Sequence, residues 1–578
     1  MTSPSSPDYT QAIQRLSKAV CEQMDVHGIG GVAVALVDDQ RLVHAAGFGT
    51  AKADTIFRAG SISKVFNAVA IMQLVEQGKL DLDAPISRYG RQFSLVVPFD
   101  DAPAVTLRQL LCHRSGMTRE SPVGGYLDAS EPSLADTVAS VRDCPMISRP
   151  NSDTRYSNVG PSLAGQILTA VAGVPYHEYQ QKHVLGPLGM TSSAFLLKEI
   201  ARERLAPAAM RIADGRGGFV RGVAPLFDLG TIPAGNLYTT AEDLAKFVSM
   251  LAAGGRATGG RIISEKSLAE MSKRQLVDTE TQGIFGLAFK VSQFREHKSL
   301  SHMGAVYGYT SSFMFLPGEK LGVVILSNED IAAGPIDKLT QLALGLMVEA
   351  KLGEKMPPAA KTIDIAPQDL LPLAGEYESP SHWAEIEVVH GKLVGNIAGQ
   401  PITLTPVAKS PESGDCPNFR ISENGTVPFN VSFLADSRLL NSSPVEFECD
   451  AAGKVVAFTA MAQKFTRVDE GDSPIFADAK IGTVPSAADV PPLWSQYVGV
   501  YGPPFIPLAI SIRHGHLYAM IENELDYRLI PASRQVFVCP PGMYRQEHLV
   551  FLTDAEGKVR GASIAGMYLR RRGADNGR

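Results

Sequence analysis

Phe57-Arg58-Ala59-Gly60-Ser61-Ile62-Ser63-Lys64-Val65-Phe66-Asn67-Ala68-Val69-Ala70-Ile71-Met72 decides how the rest of the chain is read. Ser61 opens a helix in this reading: Val65, Val69 and Met72 recur at i, i+4 and i+7, and Gly78 stops it after Glu76-Gln77. Serine at a helix start with lysine three residues later places the amine one turn from the hydroxyl, on the same face. An alkyl hydroxyl is a poor nucleophile at neutral pH and needs a neighbouring base. Lys64 serves as that base only when neutral, which requires burial or nearby positive charge to lower its pKa. The helix N-terminus supplies part of that field and favours negative charge on the serine oxygen.

Ser61-x-x-Lys64 alone is a weak signal, since a chain of this composition yields about one or two such matches by chance. Two further patterns follow in order, Tyr156-Ser157-Asn158 and His302-Met303-Gly304. Tyr156 is a phenol whose pKa falls beside a lysine, and such a pair titrates as a unit. Asn158 carries an amide able to bond Lys64 on one side and a substrate carbonyl on the other. His302 is placed to orient Tyr156 or bind a substrate group, and Gly304 lets a substrate backbone approach. Singly, these residues have ordinary readings as cap, core tyrosine, turn and structural histidine. The ordered set outweighs them.

Upstream, Val32 to Val37, a turn at Asp38-Asp39-Gln40, and Leu42 to Gly47 read as strand, turn, strand. Helices are expected at Leu107–Cys112, Pro161–Ala172 and Ala241–Ala252. Strands are expected at Phe285–Val291, Thr310–Leu316 and Leu321–Leu326, the last two joined by Pro317-Gly318-Glu319-Lys320. Strands at both ends with helices between predict an α+β domain, an antiparallel sheet with helices against it.

After a polar, proline-bearing stretch at Lys355–Pro372 the helix signals nearly vanish and an internal repeat begins. Leu373-Ala-Gly375-Glu-Tyr377 is echoed by Tyr497-Val-Gly499-Val-Tyr501, and Asp450-Ala-Ala-Gly453-Lys454-Val455 by Asp554-Ala-Glu-Gly557-Lys558-Val559. His390-Gly391 and His514-Gly515 each begin 13 residues after Tyr377 and Tyr501. Two small antiparallel β-barrels are expected, separated by a loose stretch at Gly471–Pro492. The repeat makes a fold role the better reading of His390, His514 and His516.

The 578 residues are enough for two to four domains of about 100–200 residues each. With 45% hydrophobic residues and a net charge of -6, nucleic acid is not an expected partner. No run approaches the ~20 apolar residues of a membrane span. The start, MTSPSSPDYTQAIQRLSKAV, has neither a basic n-region nor an apolar h-region, so a cytoplasmic location is expected, or a periplasmic one if a leader was removed. Cys21, Cys112, Cys144, Cys416, Cys449 and Cys539 lack metal or redox spacing and read as reduced, buried thiols. Neither a metal nor a cofactor is expected, since zinc-protease, P-loop and dinucleotide motifs are missing.

The ordered motifs resemble those of the penicillin-recognising serine hydrolases: class C β-lactamases, D-alanyl-D-alanine peptidases, D-aminopeptidases and related esterases. In that superfamily the third motif is K-T-G, with H-x-G in the aminopeptidase branch. The resemblance covers about residues 10 to 350 and is supported by Leu110-Leu-Cys-His113-Arg-Ser115-Gly116 and Ala234-Gly235-Asn236. It implies Ser61 as acylated nucleophile, Lys64 and Tyr156 as proton-transfer pair, Asn158 as polar contact and His302 as third-motif residue. The implied oxyanion hole uses the amides of Ser61 and Ala305. His113 reads as a structural hydrogen-bonder.

The implied layout is a β-lactamase-like domain over 1–355 and repeat barrels over 366–470 and 488–578, like three-domain D-aminopeptidases and peptidases that cleave linearised microcystin. In the D-aminopeptidase a loop of the last barrel enters the active site, and Pro540–Arg545 is the comparable hairpin here. The expected substrate is a small peptide or ester, with homo-oligomerisation open. The expected function is amide hydrolysis through an acyl-enzyme. The alternatives are carboxylesterase, acyltransferase, β-lactamase, or a non-catalytic binding protein.

Overall fold

The computed structural model describes residues 7–214, 218–275, 284–408, 431–468 and 492–572. The chain divides into two compact units: Met1–Arg211, Arg221–Met356 and Ala565–Met567 in one, Ile212–Val220, Pro357–Ile564 and Tyr568–Arg578 in the other.

The first unit is built on a six-stranded antiparallel sheet. Its strands are β1 (Gly31–Asp38), β2 (Arg41–Gly49), β3 (Lys290–Phe294), β4 (His297–Val306), β5 (Tyr309–Leu316) and β6 (Leu321–Ser327), in the order β2-β1-β6-β5-β4-β3. The helices of this unit include α1 (Thr10–His27), α2 (Ser63–Glu76), α3 (Leu107–Leu111), α4 (Val159–Ala172), α5 (Ala241–Ala252) and α6 (Ala333–Leu352). Both β1 and β6 are buried along their whole length, as their unbroken apolar runs require. On one face Val32, Val34, Leu36, Leu321, Val323 and Ile325 share a core with Leu16 and Val20 of α1 and Ile336 and Leu339 of α6. On the other face α5 closes tightly because Gly322 lacks a side chain: a Cβ there would lie 2.3 Å from Val248 Cγ1. Asp38, at the end of β1, accepts hydrogen bonds from Tyr9 Oη (2.9 Å) and Lys351 Nζ (2.6 Å), tying both terminal segments of this unit to the sheet.

Several elements depart from the sequence reading. α1 and α6 were not expected: only Ala12, Leu16 and Val20 of α1 are buried, and α6 carries Gly334, Pro335 and Gly345, which blur its period. The stretch Phe285–Val291 is not a strand, because Ala288 adopts φ +68° and Val291 N–H folds back on Ile284 O (2.8 Å); extended structure begins at Lys290. Cys21 is exposed rather than buried, Cys112 and Cys539 are buried, and Cys416 lies outside the described residues, as does most of the stretch Gly471–Pro492. Among the described residues no helix is long and apolar enough to cross a membrane.

The first repeat copy closes into an eight-stranded antiparallel barrel from Gly375–Glu378 to Gln463–Arg467. The repeated dipeptides are hairpin turns: His390 and Gly391 have φ +49° and +74°, His514 and Gly515 +47° and +75°, the double positive φ of a type I′ turn. Tyr377 Oη donates to Leu373 O (2.8 Å) and Tyr501 Oη to Tyr497 O (2.6 Å), so the echoed tyrosines make the same bond.

The second copy is not one closed ladder but a four-stranded and a five-stranded sheet. Where the first copy has the continuous strand Gln400–Ala408, the second has two short strands, Leu525–Arg528 and Ile530–Pro531, on either side of Leu529, and Pro531 has no N–H to donate. Among the described residues a single bridge, Tyr501 to Arg571, stands where the first copy has two closing pairs. Residues Pro540–Arg545 connect Val536–Val538 to His548–Thr553, with Tyr544 buried and its hydroxyl donating to Glu522 (2.7 Å).

Candidate active site

The site is assembled where β4 passes the start of α2. Gly60 adopts φ +51°, and Ser61 and Ile62 form a tight turn before the helix proper, which begins at Ser63 rather than at Ser61. The bonds Ser63 N–H to Gly60 O (3.0 Å) and Lys64 N–H to Ser61 O (3.1 Å) span three residues, as at the tightened first turn of many helices. Ser63 locks this turn: its hydroxyl donates to Gly60 O (2.6 Å) and accepts from Leu237 N–H (2.9 Å).

Lys64 is only 1% exposed. Its Nζ lies 2.9 Å from Ser61 Oγ and donates to Asn158 Oδ1 (2.7 Å) and Ala234 O (2.9 Å). A neutral amine has two hydrogens and one lone pair. Two carbonyl oxygens, which only accept, claim both hydrogens, so the lone pair is left facing the serine hydroxyl. Burial drives the Lys64 pKa well below the ordinary lysine range; the Glu120 carboxylate opposes that shift and the Arg119 guanidinium assists it. The arrangement thus favours the neutral amine and places it against Ser61.

Tyr156 lies beside this pair, its ring centroid 4.9 Å from Lys64 Nζ. Its other neighbours are His113, stacked at 4.3 Å and 28°, and the Arg119 guanidinium, 5.8 Å from the ring centroid. His113 Nδ1 accepts the Ser157 N–H (3.2 Å), the structural bond expected of it. His302 on β4 is 5% exposed, with its ring 6.5 Å from that of Tyr156. Its Nδ1 sits 2.6 Å from Met303 O, so Nδ1 carries the hydrogen, and Nε2 presents a buried lone pair that has no partner among the described residues. Burial, with Lys64 adding to it, brings the His302 pKa down to about 3, so the ring is neutral at any ordinary pH.

Gly60 and Gly304 set how closely two amides approach. A Cβ on Gly304 would lie 2.0 Å from Ala59 O and 2.9 Å from Ser61 N; one on Gly60 would lie 2.8 Å from Ala305 N. The N–H groups of Ser61 and Ala305 are therefore neighbours because both intervening residues lack side chains, and Ser311 Oγ pins the Ala59 carbonyl between them (2.8 Å). Two such amides can bind a developing oxyanion. Gly304→Ala is expected to pry them apart and to lower kcat about 10²-fold with a smaller change in KM, checked by steady-state kinetics alongside circular dichroism.

Ser61, Lys64, Tyr156, Asn158, His302, Gly304 and Ala305 are thus brought together. One contact differs from expectation: the nitrogen side of Asn158 meets Glu120, to whose Oε1 Nδ2 donates, before any substrate carbonyl. Glu120 and the Ala234 carbonyl are the groups that sequence reasoning did not assign. Ala234 stood in the Ala234-Gly235-Asn236 segment, but nothing local marks Arg119-Glu120.

The Beta-lactamase family profile matches residues 16–345. The chain is similar to Penicillin-binding protein 4 of Amycolatopsis lactamdurans, 28% identical over 369 residues that cover 61% of this chain and 94% of the relative. It is also similar to Esterase EstB of Burkholderia gladioli, 27% identical over 314 residues, 48% of this chain and 78% of the relative. Among solved structures, the octameric penicillin-binding protein homologue from Pyrococcus abyssi aligns with a TM-score of 0.53 and 24% identity over 79% of this chain and 100% of that one, a likeness of fold.

Proposed function

The chain belongs to the beta-lactamase family and is a serine hydrolase of that family, and we propose that it cleaves amide bonds of small peptides through an acyl-enzyme on Ser61. The observation that carries this reading is the Lys64 amine, bonded to Asn158 Oδ1 and Ala234 O with its lone pair left for Ser61.

In acylation Lys64, with Tyr156 beside it, takes the Ser61 proton as Oγ bonds to the substrate carbonyl carbon. The oxygen of the tetrahedral intermediate is held by the amides of Ser61 and Ala305. The same pair passes the proton to the leaving nitrogen, the C–N bond breaks and the amine departs. Water then gives its proton to Lys64 and attacks the Ser61 ester; the carboxylate product leaves and Ser61 regains its proton.

The neutral, acceptor-only Nε2 of His302 supports a peptide over a β-lactam. It supplies no cation for the β-lactam carboxylate where penicillinases carry lysine. A carboxylesterase is the second reading, favoured by the similarity to Esterase EstB. Matched p-nitroanilides and p-nitrophenyl esters of D- and L-amino acids separate the two. Turnover of anilides with a defined stereochemical preference is expected; hydrolysis of esters alone would reject the peptidase reading in favour of the esterase.

A further inference from the structure

Asn158 sits between a base and an acid: Oδ1 accepts from Lys64 Nζ (2.7 Å) and Nδ2 donates to Glu120 Oε1. Glu120 is fully buried, and its other oxygen accepts the Tyr126 N–H (3.0 Å). Its segment is strapped to the Asn158 segment, where Asn158 N–H donates to Arg119 O (2.8 Å) and Ser157 Oγ to Thr118 O (2.7 Å), and is braced within itself by Thr118 Oγ1 donating to Glu120 O (3.0 Å). The carboxylate therefore stands at a fixed place, and when ionised it can only accept. An asparagine amide facing it must present its NH2 there and turn its oxygen to Lys64. Without that polarity the amide is free to flip, and an NH2 group turned toward Lys64 would compete with Ser61 for the lone pair.

We propose that Glu120 is a positioning residue of the hydrolytic site, its buried carboxylate fixing the Asn158 amide so that the Lys64 lone pair stays on Ser61. The inference rests on Lys64 being the base that deprotonates Ser61.

The field at Lys64 carries the same signature. The titratable and charged groups around it are Arg119 and Glu120 from one segment, Tyr156 from a second, and the imidazoles of His113 and His302, whose pKa values burial lowers. Of the two charged groups Glu120 favours the ammonium and Arg119 opposes it, so the two adjacent residues move Lys64 in opposite directions.

The test is the pH profile of kcat and kcat/KM with a p-nitrophenyl ester for wild type, Glu120→Gln, Arg119→Gln, Lys64→Met and the double variant Glu120→Gln with Asn158→Asp. Glu120→Gln is isosteric. It is expected to lower kcat about 10- to 100-fold with KM nearly unchanged, part of the range of general-base catalysis. It should also move the acid limb to lower pH, and Arg119→Gln should move it to higher pH. The double variant restores a fixed direction, because the carboxylate introduced at position 158 can only accept, from Lys64 on one side and from the amide introduced at position 120 on the other. The carboxylate beside Lys64 should move the acid limb to higher pH, and on the plateau above that limb the double variant should recover most of the lost kcat, which a purely structural role for Glu120 does not predict. A Glu120→Gln enzyme with wild-type kcat and acid limb, or a double variant no better than the single, overturns the proposal while an inactive Lys64→Met leaves the base assignment standing. An active Lys64→Met overturns both.

Discussion

Ser61→Ala is expected to lower kcat/KM by about 10⁴-fold or more for every ester and anilide that the wild type turns over, with the fold intact. In the proposed mechanism the Ser61 hydroxyl oxygen is the atom that bonds to the acyl carbon. Ser63, two residues on, has its hydroxyl committed to Gly60 O and Leu237 N–H. The turn that places residue 61 is made by backbone bonds at Ser63 and Lys64 and by Gly60, none of which needs the Ser61 side chain. Steady-state rates and intact mass check this together with the thermal midpoint: no acyl adduct should form, and the midpoint should stay within a few degrees of wild type. Retained turnover in this variant would reject the mechanism.

Lys64→Met should cost about 10³- to 10⁴-fold in kcat/KM. Methionine fills the same buried slot beside Tyr156, so the loss reports the amine rather than a cavity. The carbonyls of Asn158 and Ala234 lose their donor, a destabilisation of about 1–3 kcal/mol readable by denaturant unfolding. In the wild type, activity should rise with pH as Lys64 loses its proton, because only the neutral amine accepts one. Burial lowers that pKa, so the acid limb lies well below the ordinary lysine value of 10.5. His302, at about 3, contributes no limb near neutrality. An acid limb at the ordinary lysine value would mean that Lys64 is not desolvated in solution.

What was legible in the sequence was whatever local chemistry dictates. The Ser61 to Lys64 spacing fixed an amine one turn from a hydroxyl, and the structure places the two atoms 2.9 Å apart. The helix expected at Ala241–Ala252 forms over those residues as α5, with the Thr240 side chain accepting the Asp243 N–H at its start. The repeated His-Gly dipeptides, read in the sequence only as belonging to the fold, are hairpin turns in both copies. Long-range geometry left less trace. α1 buries a narrow stripe in an otherwise polar sequence, and α6 is held by tertiary packing over two glycines and a proline. Glu120 is invisible because its partner Asn158 is brought to it from a distant segment.

The most direct test is covalent trapping. Wild-type protein is incubated with a fluorophosphonate and its intact mass and digest are measured across pH, beside Lys64→Met. One phosphonyl group per chain, mapped to the Ser61 peptide, is predicted, forming at a rate that follows Lys64 deprotonation and collapses in Lys64→Met. An unmodified protein, an adduct on another residue, or labelling of Ser61 at the same rate without Lys64 would contradict a lysine-activated Ser61 nucleophile.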